Sequence, residues 1–187
     1  VGVGLGMFWR VWIVGALAAL ACSNANAQTP PLTPTITHHT MDLNGARLAY
    51  TATAGLMPIA SPDGQPIGDM SYIAYTAPAL AGRARPIAFI WNGGSGANST
   101  PLHYGAFGPH RLAAGAMKSN PATLLDIADL VFIDQIETGF GRYASGIDQS
   151  TYLNQRADAD TFAQLIHGWL QTHGGVDGAA FLLAESY

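Results

Sequence analysis

Three short apolar runs constrain the fold of this chain more than any other feature. They occupy residues 86–91 (PIAFIW), 129–134 (DLVFID) and 179–186 (AAFLLAES). Continuous apolar runs bounded by turn-forming residues are typical of parallel strands covered on both faces. The sequence therefore predicts two parallel strands followed by a further buried strand.

A helix is predicted between the second and third runs, over residues 157–172. Its apolar side chains recur at helical spacing on one face: Phe162, Leu165, Ile166, Trp169 and Leu170. Asp158 and Asp160 fall in its first turn, where acids favour the positive end of the helix dipole. We prefer this interpretation of the two acids to a metal site. The order of strand, loop, strand, helix and strand predicts an α/β fold with a doubly wound, mostly parallel sheet.

Two segments before these runs alternate apolar with small or polar residues. They are residues 44–55 (NGARLAYTATAG) and 68–78 (GDMSYIAYTAP), separated by a turn-rich stretch at 61–69. This alternation is typical of half-buried antiparallel strands, so we expect a hairpin or meander here.

The amino-terminal segment predicts export. Arg10, an apolar run over 11–21 and the small-x-small triplet at 25–27 have the form of a signal peptide spanning residues 1–27. An alternative is a lipid anchor at Cys22. Residues 28–39 are rich in Pro and Thr and predict a linker, with His38–His39 as a solvated pair rather than a metal site. Residues 40–187 would form the folded domain, located in the periplasm or outside the cell.

Charge excludes one class of partner. The formal net charge is −4 and the cations are scattered, so no basic stripe exists for nucleic acid. No cofactor or metal is implied, and no membrane contact is expected after signal cleavage. Since Cys22 is the one cysteine, the mature domain would have no disulfide.

The ends of the first and third runs carry candidate chemistry. Ser186 follows an apolar strand among small residues, as in a nucleophile elbow, although a serine in this position is also a common helix cap. The first run ends in a glycine turn, NGGSG, which either forms a tight turn or points backbone N–H groups at an anion. In hydrolases with such an elbow, an oxyanion hole takes one donor from an early loop and one from the residue after the Ser, here Gly94 and Tyr187.

These segments together resemble the serine carboxypeptidase family, particularly its bacterial branch. The resemblance rests on residues 89–112 (FIWNGGSGANSTPLHYGAFGPHRL), 120–141 (NPATLLDIADLVFIDQIETGFG) and 181–187 (FLLAESY). It implies the α/β-hydrolase fold and a Ser-His-Asp triad that removes C-terminal residues from peptides through an acyl-enzyme. It also implies a role for each of six residues: Ser186 as nucleophile, Gly94 and Tyr187 as oxyanion donors, and Asn92, Gly93 and Glu185 as ligands of the substrate's terminal carboxylate. A structural carboxylate that fixes the elbow is the alternative for Glu185.

The triad order leads to a further expectation. In this architecture the Asp and His follow the Ser, whereas all six histidines of the chain precede Ser186. The sequence therefore predicts the N-terminal portion of a hydrolase, inactive by itself. Glu137 and Ala106 depart from the residues usual in the serine carboxypeptidase family at these positions. They leave open an esterase or acyltransferase with the same fold. A non-catalytic binding protein remains a third possibility.

Overall fold

The computed structural model describes residues 33–79, 83–94, 96–173 and 179–186. Six strands form one sheet in the order β1-β2-β3-β7-β4-β8, and β5 and β6 form a separate hairpin. The strands are β1 (Thr35–Leu43), β2 (Ala46–Ala60), β3 (Pro66–Thr76), β4 (Ile87–Asn92), β5 (His110–Ala113), β6 (Ala116–Ser119), β7 (Asp129–Asp134) and β8 (Ala180–Glu185). The helices are the one-turn α1 (Thr100–Leu102) and α2 (Gln155–Thr172), accompanied by a π-helical turn at His103–Phe107 and a 3₁₀ turn at Gln149–Tyr152.

The first three strands form the predicted antiparallel meander. β1 and β2 are joined by Asn44–Gly45, whose φ angles of 52° and 78° fit a two-residue hairpin turn. β1 begins at Thr35, so residues 35–39 of the predicted linker are exposed and pair with β2. The predicted signal peptide at 1–27 lies outside the described residues.

The apolar runs form the parallel part of the sheet. β4 pairs in parallel with β7 on one side and with β8 on the other. The side chains of Phe89, Ile90 and Val131 are fully buried, as continuous apolar runs predict. β8 is the edge strand and is mostly exposed, with Phe181 52% and Leu182 63% exposed, so the prediction of a buried third strand is wrong for the described sheet.

The sheet carries a hydrophobic core on each face. On one face α2 packs through Phe162, Leu165 and Trp169 against a buried cluster that includes Phe89 and Val131. Helix α2 begins two residues before the predicted start, where Asn154 caps it by accepting a hydrogen bond from the Ala157 N–H. The opposite face packs against Leu125 and Ala128 from the connection that precedes β7. No helix among the described residues is long and apolar enough to cross a membrane.

The predicted α/β-hydrolase fold, doubly wound with a mostly parallel sheet, is wrong. Strands make up 43% and helices 21% of the described residues, and the six-stranded sheet is mixed. Two features account for the difference. The long β1–β3 meander joins the sheet antiparallel to β7, and the β4–β7 connection contains a hairpin where a doubly wound fold would have a covering helix. Gly105, Gly108, Pro109 and Gly115 make this connection a poor helix.

A buried ion pair lies at the end of the sheet where β7 begins. Arg85 Nε donates to Asp129 Oδ1 at 2.7 Å, and these side chains are 3% and 15% exposed. The same oxygen accepts the Ala77 N–H at 3.1 Å, and Arg85 Nη2 donates to the carbonyls of Leu125 and Ala128. The pair therefore joins the segments before β4 and β7 to the end of β3.

Candidate functional site

Ser186 lies directly after β8 in a backbone conformation that few non-glycine residues adopt. Its φ is 70°, in the left-handed region, and its side chain is exposed. A left-handed turn immediately after an extended strand changes the chain direction sharply. The hydroxyl-bearing residue is thus held at the end of the sheet, as the elbow interpretation expects.

The neighbouring strand β4 ends beside β8 and leads into the glycine turn. Asn92 is the register partner of Glu185, so the segments after the two strands begin side by side. Gly93 is buried, whereas Gly94 is exposed and has a φ of 83°. This left-handed conformation favours glycine, which explains why the second glycine of the turn is needed.

A side-chain hydrogen bond links the two strand ends. Asn92 Nδ2 donates to Glu185 Oε2 at 2.7 Å. The buried Oδ1 of Asn92 has no hydrogen-bond partner among the described residues. Glu185 is exposed, so the arrangement presents one carboxylate and one amide at the same edge of the sheet.

The loop after β4 is fastened to the end of β7. The Ser99 N–H donates to Asp134 Oδ1 at 2.7 Å, and Ser99 Oγ donates to the Ile133 carbonyl. Gly139 lies against the same carboxylate, where an added methyl group would overlap Asp134 and the Ser71 hydroxyl. Three segments therefore meet at Asp134.

Two adjoining clefts lie at this end of the sheet. The larger, about 570 Å³, has Ser186 at its edge and walls that are mostly apolar, including Trp91, Phe162, Ile166 and Leu182. The smaller, about 360 Å³, is lined by Glu137, Tyr143 and Tyr152 among others. Both are lined by Gln135 and Asp158, so the two clefts adjoin, and we call them together the groove.

The groove is acidic. Of the described residues, Asp158 and Glu137 are the charged groups that line it, and no Lys, Arg or His does so. Burial raises the pKa of Tyr143, and the nearby charges of Asp158 and Glu137 raise it further. A Glu137 carboxylate oxygen accepts the Tyr143 N–H at 3.0 Å.

The histidines lie elsewhere. His103 is buried, and its Nε2 and the Tyr75 hydroxyl share a hydrogen bond of 2.8 Å. Burial lowers the pKa of His103 to about 4, so this ring is neutral at physiological pH. On β1, His38 pairs with Thr51 and His39 pairs with Thr37. In the part of the chain that the structure describes, no group of three or more His, Cys, Asp or Glu side chains is placed to hold a metal ion.

Five of the six predicted site residues are brought together. Asn92, Gly93 and Gly94 lie beside Glu185 and Ser186 at the adjacent ends of β4 and β8. The sixth, Tyr187, lies outside the described residues. Sequence reasoning missed Ser99 and Asp134. Asp134 ends an apolar run, which is a sequence signal for a residue at a strand end. Its contact with Ser99 has no such signal, because it depends on how the loop after β4 folds back toward β7.

Comparison with known proteins gives no family for this chain: no family model matches it, and neither does any curated protein.

Proposed function

We propose that this chain carries the nucleophile and substrate-binding edge of a serine carboxypeptidase-like hydrolase that removes C-terminal residues from peptides. The observation that carries the proposal is the left-handed Ser186 directly after β8, beside the glycine turn of β4. The proposal rests on this local arrangement and on the resemblance of three sequence segments, and it does not require the fold first expected.

In the proposed reaction, the Ser186 hydroxyl attacks the scissile carbonyl and loses its proton to a general base. The base returns the proton to the leaving amine as the C–N bond breaks, and water then hydrolyses the acyl-enzyme. The Gly94 N–H would donate to the oxyanion, and Asn92 and Glu185 would bind the terminal carboxylate. None of the described histidines lies in the groove, so the proposal assigns no base among them.

The mostly apolar cleft beside Ser186 also suits an ester with a hydrophobic acyl group. An esterase or acyltransferase is therefore the second candidate. It differs from the first in needing no recognition of a free carboxylate by Glu185 and Asn92.

Turnover by the protein as its gene encodes it tests the proposal. N-acylated dipeptides with a free C-terminus and matched ester substrates are incubated with wild type, Ser186→Ala and Ser145→Ala, and products are measured by mass spectrometry. Ser145 is an exposed serine that lines neither cleft, so Ser145→Ala is the matched control. We expect amino-acid release that falls at least about 1,000-fold in Ser186→Ala alone.

Other results separate the candidates. Hydrolysis of esters without release of amino acids would favour the esterase. Wild-type turnover that survives in Ser186→Ala, or the absence of any turnover, would overturn the proposal and leave a binding protein as the better account.

A further inference from the structure

We propose that Ser99 and Asp134 are positioning residues that hold the loop after β4 in the conformation in which the Gly94 N–H faces the nucleophile. This inference rests on the proposed function. The two residues would not touch the substrate, and their effect would reach the reaction through the position of the Gly94 backbone.

The contacts of Ser99 hold it against β7. Its side chain is buried, at 3% exposed, and both of its donors bond to β7: the backbone N–H to Asp134 Oδ1 at 2.7 Å and the hydroxyl to the Ile133 carbonyl. Its own carbonyl accepts the His103 N–H at 2.8 Å, so Ser99 also anchors the helical turn that follows. A hydrogen bond from N–H to carboxylate is charge-assisted, which makes it stronger than a neutral one.

Strand β7, which carries Ile133 and Asp134, is itself held by its neighbours. β7 is paired with β3 and with β4, and Ile133 is 1% exposed. Gly139 packs against Asp134, and the Phe140 N–H donates to Ser71 Oγ at 3.0 Å, so the segment after β7 returns over the same carboxylate. Asp134 is therefore held between the loop after β4 and the segment after β7.

A short path leads from Ser99 to Gly94. The Ala97 N–H donates to the Gly94 carbonyl at 3.4 Å, which closes a turn between the end of β4 and Ser99. Oxyanion donors act only when they are already oriented toward the developing charge. Release of Ser99 would therefore leave Gly94 on a loop held at one end only.

Hydrogen exchange and steady-state kinetics on the full protein test this inference together. In Asp134→Leu we expect exchange at the Ala97 and Ser99 amides to accelerate about tenfold, because the bond to the carboxylate is lost. We expect kcat to fall about 100-fold while KM stays within about twofold, as for loss of an oxyanion donor. Asp134→Asn keeps an oxygen acceptor and should restore both quantities. Asp42→Leu, an exposed site on β1, is the matched control.

Should Asp134→Leu fail to fold, Ser99→Ala removes only the bond to the Ile133 carbonyl, and a smaller change in the same direction is expected. Unchanged exchange in the loop would overturn the inference, as would a loss in KM rather than kcat. A wild-type protein that turns over neither peptide nor ester would instead refute the proposed function. The exchange data would then still decide whether Ser99 and Asp134 hold the loop.

Discussion

At the scale of single residues, the positive φ angle of Ser186 marks the candidate site. The non-glycine residues with positive φ among those described are Asn44, Ala114, Glu137 and Ser186. Asn44 and Ala114 lie in hairpin turns that require such angles. Glu137 lies in a turn that the Thr138 N–H and the Gln135 carbonyl close at 3.1 Å. Ser186 instead follows β8 directly. Strained residues cluster at functional sites, so the position of Ser186 supports the proposal.

His103 gives a prediction about stability and pH. Its pKa is about 4 in the folded protein against an ordinary value of 6.5, because burial disfavours the charged ring. Between these pH values the unfolded chain binds a proton that the folded protein does not. Stability from this residue is therefore complete above pH 6.5 and is lost as the pH falls to 4, by about 3 kcal/mol.

Urea unfolding of wild type and His103→Gln at several pH values between 7 and 4 measures this effect. The gap between the two free energies of unfolding should shrink on acidification, as the penalty for protonating the wild-type histidine grows. A constant gap for His103→Gln would contradict the assigned pKa.

At the scale of elements, the Arg85–Asp129 pair predicts a large effect far from the groove. Asp129→Ala would leave the buried Arg85 without its counter-ion and should lower the free energy of unfolding by about 3–5 kcal/mol. The exposed pair Arg142–Glu137, 4.0 Å apart, is the comparison, and Glu137→Gln should cost at most about 1 kcal/mol. Chemical denaturation measures both, and equal losses would show that burial does not set the strength of these pairs.

The elements also show what local sequence can predict. β4 and β7 were predictable because each is a continuous apolar run, and α2 was predictable because its apolar residues recur at helical spacing. β1 was missed because the segment before it is rich in Pro and Thr, and pairing with β2 overrides that local composition. At the site, the strand ends were predictable from the apolar runs. The Ser99–Asp134 contact was not, because the two residues are 35 positions apart and meet only through the returning loop.

At the scale of the whole molecule, the sheet is mixed, but strands β4 and β8 end side by side as expected in a parallel sheet. The antiparallel meander occupies one side of β7, and the parallel strands β4 and β8 occupy the other. The candidate site needs only this second half, where two strand ends lie in register. The fold class was therefore predicted wrongly, because it depends on the orientation of β1–β3. The predicted site residues that the structure describes still lie together, because the apolar runs determine where β4 and β8 end.

Covalent labelling of Ser186 tests the central claim most directly. A fluorophosphonate reagent transfers its phosphonyl group to an activated serine hydroxyl with loss of fluoride, and peptide mapping of the labelled full protein then locates the adduct. The account predicts one adduct, on Ser186, that disappears in Ser186→Ala and persists in Ser145→Ala. Labelling at another serine, or no labelling of a folded protein that turns over substrate, would contradict it.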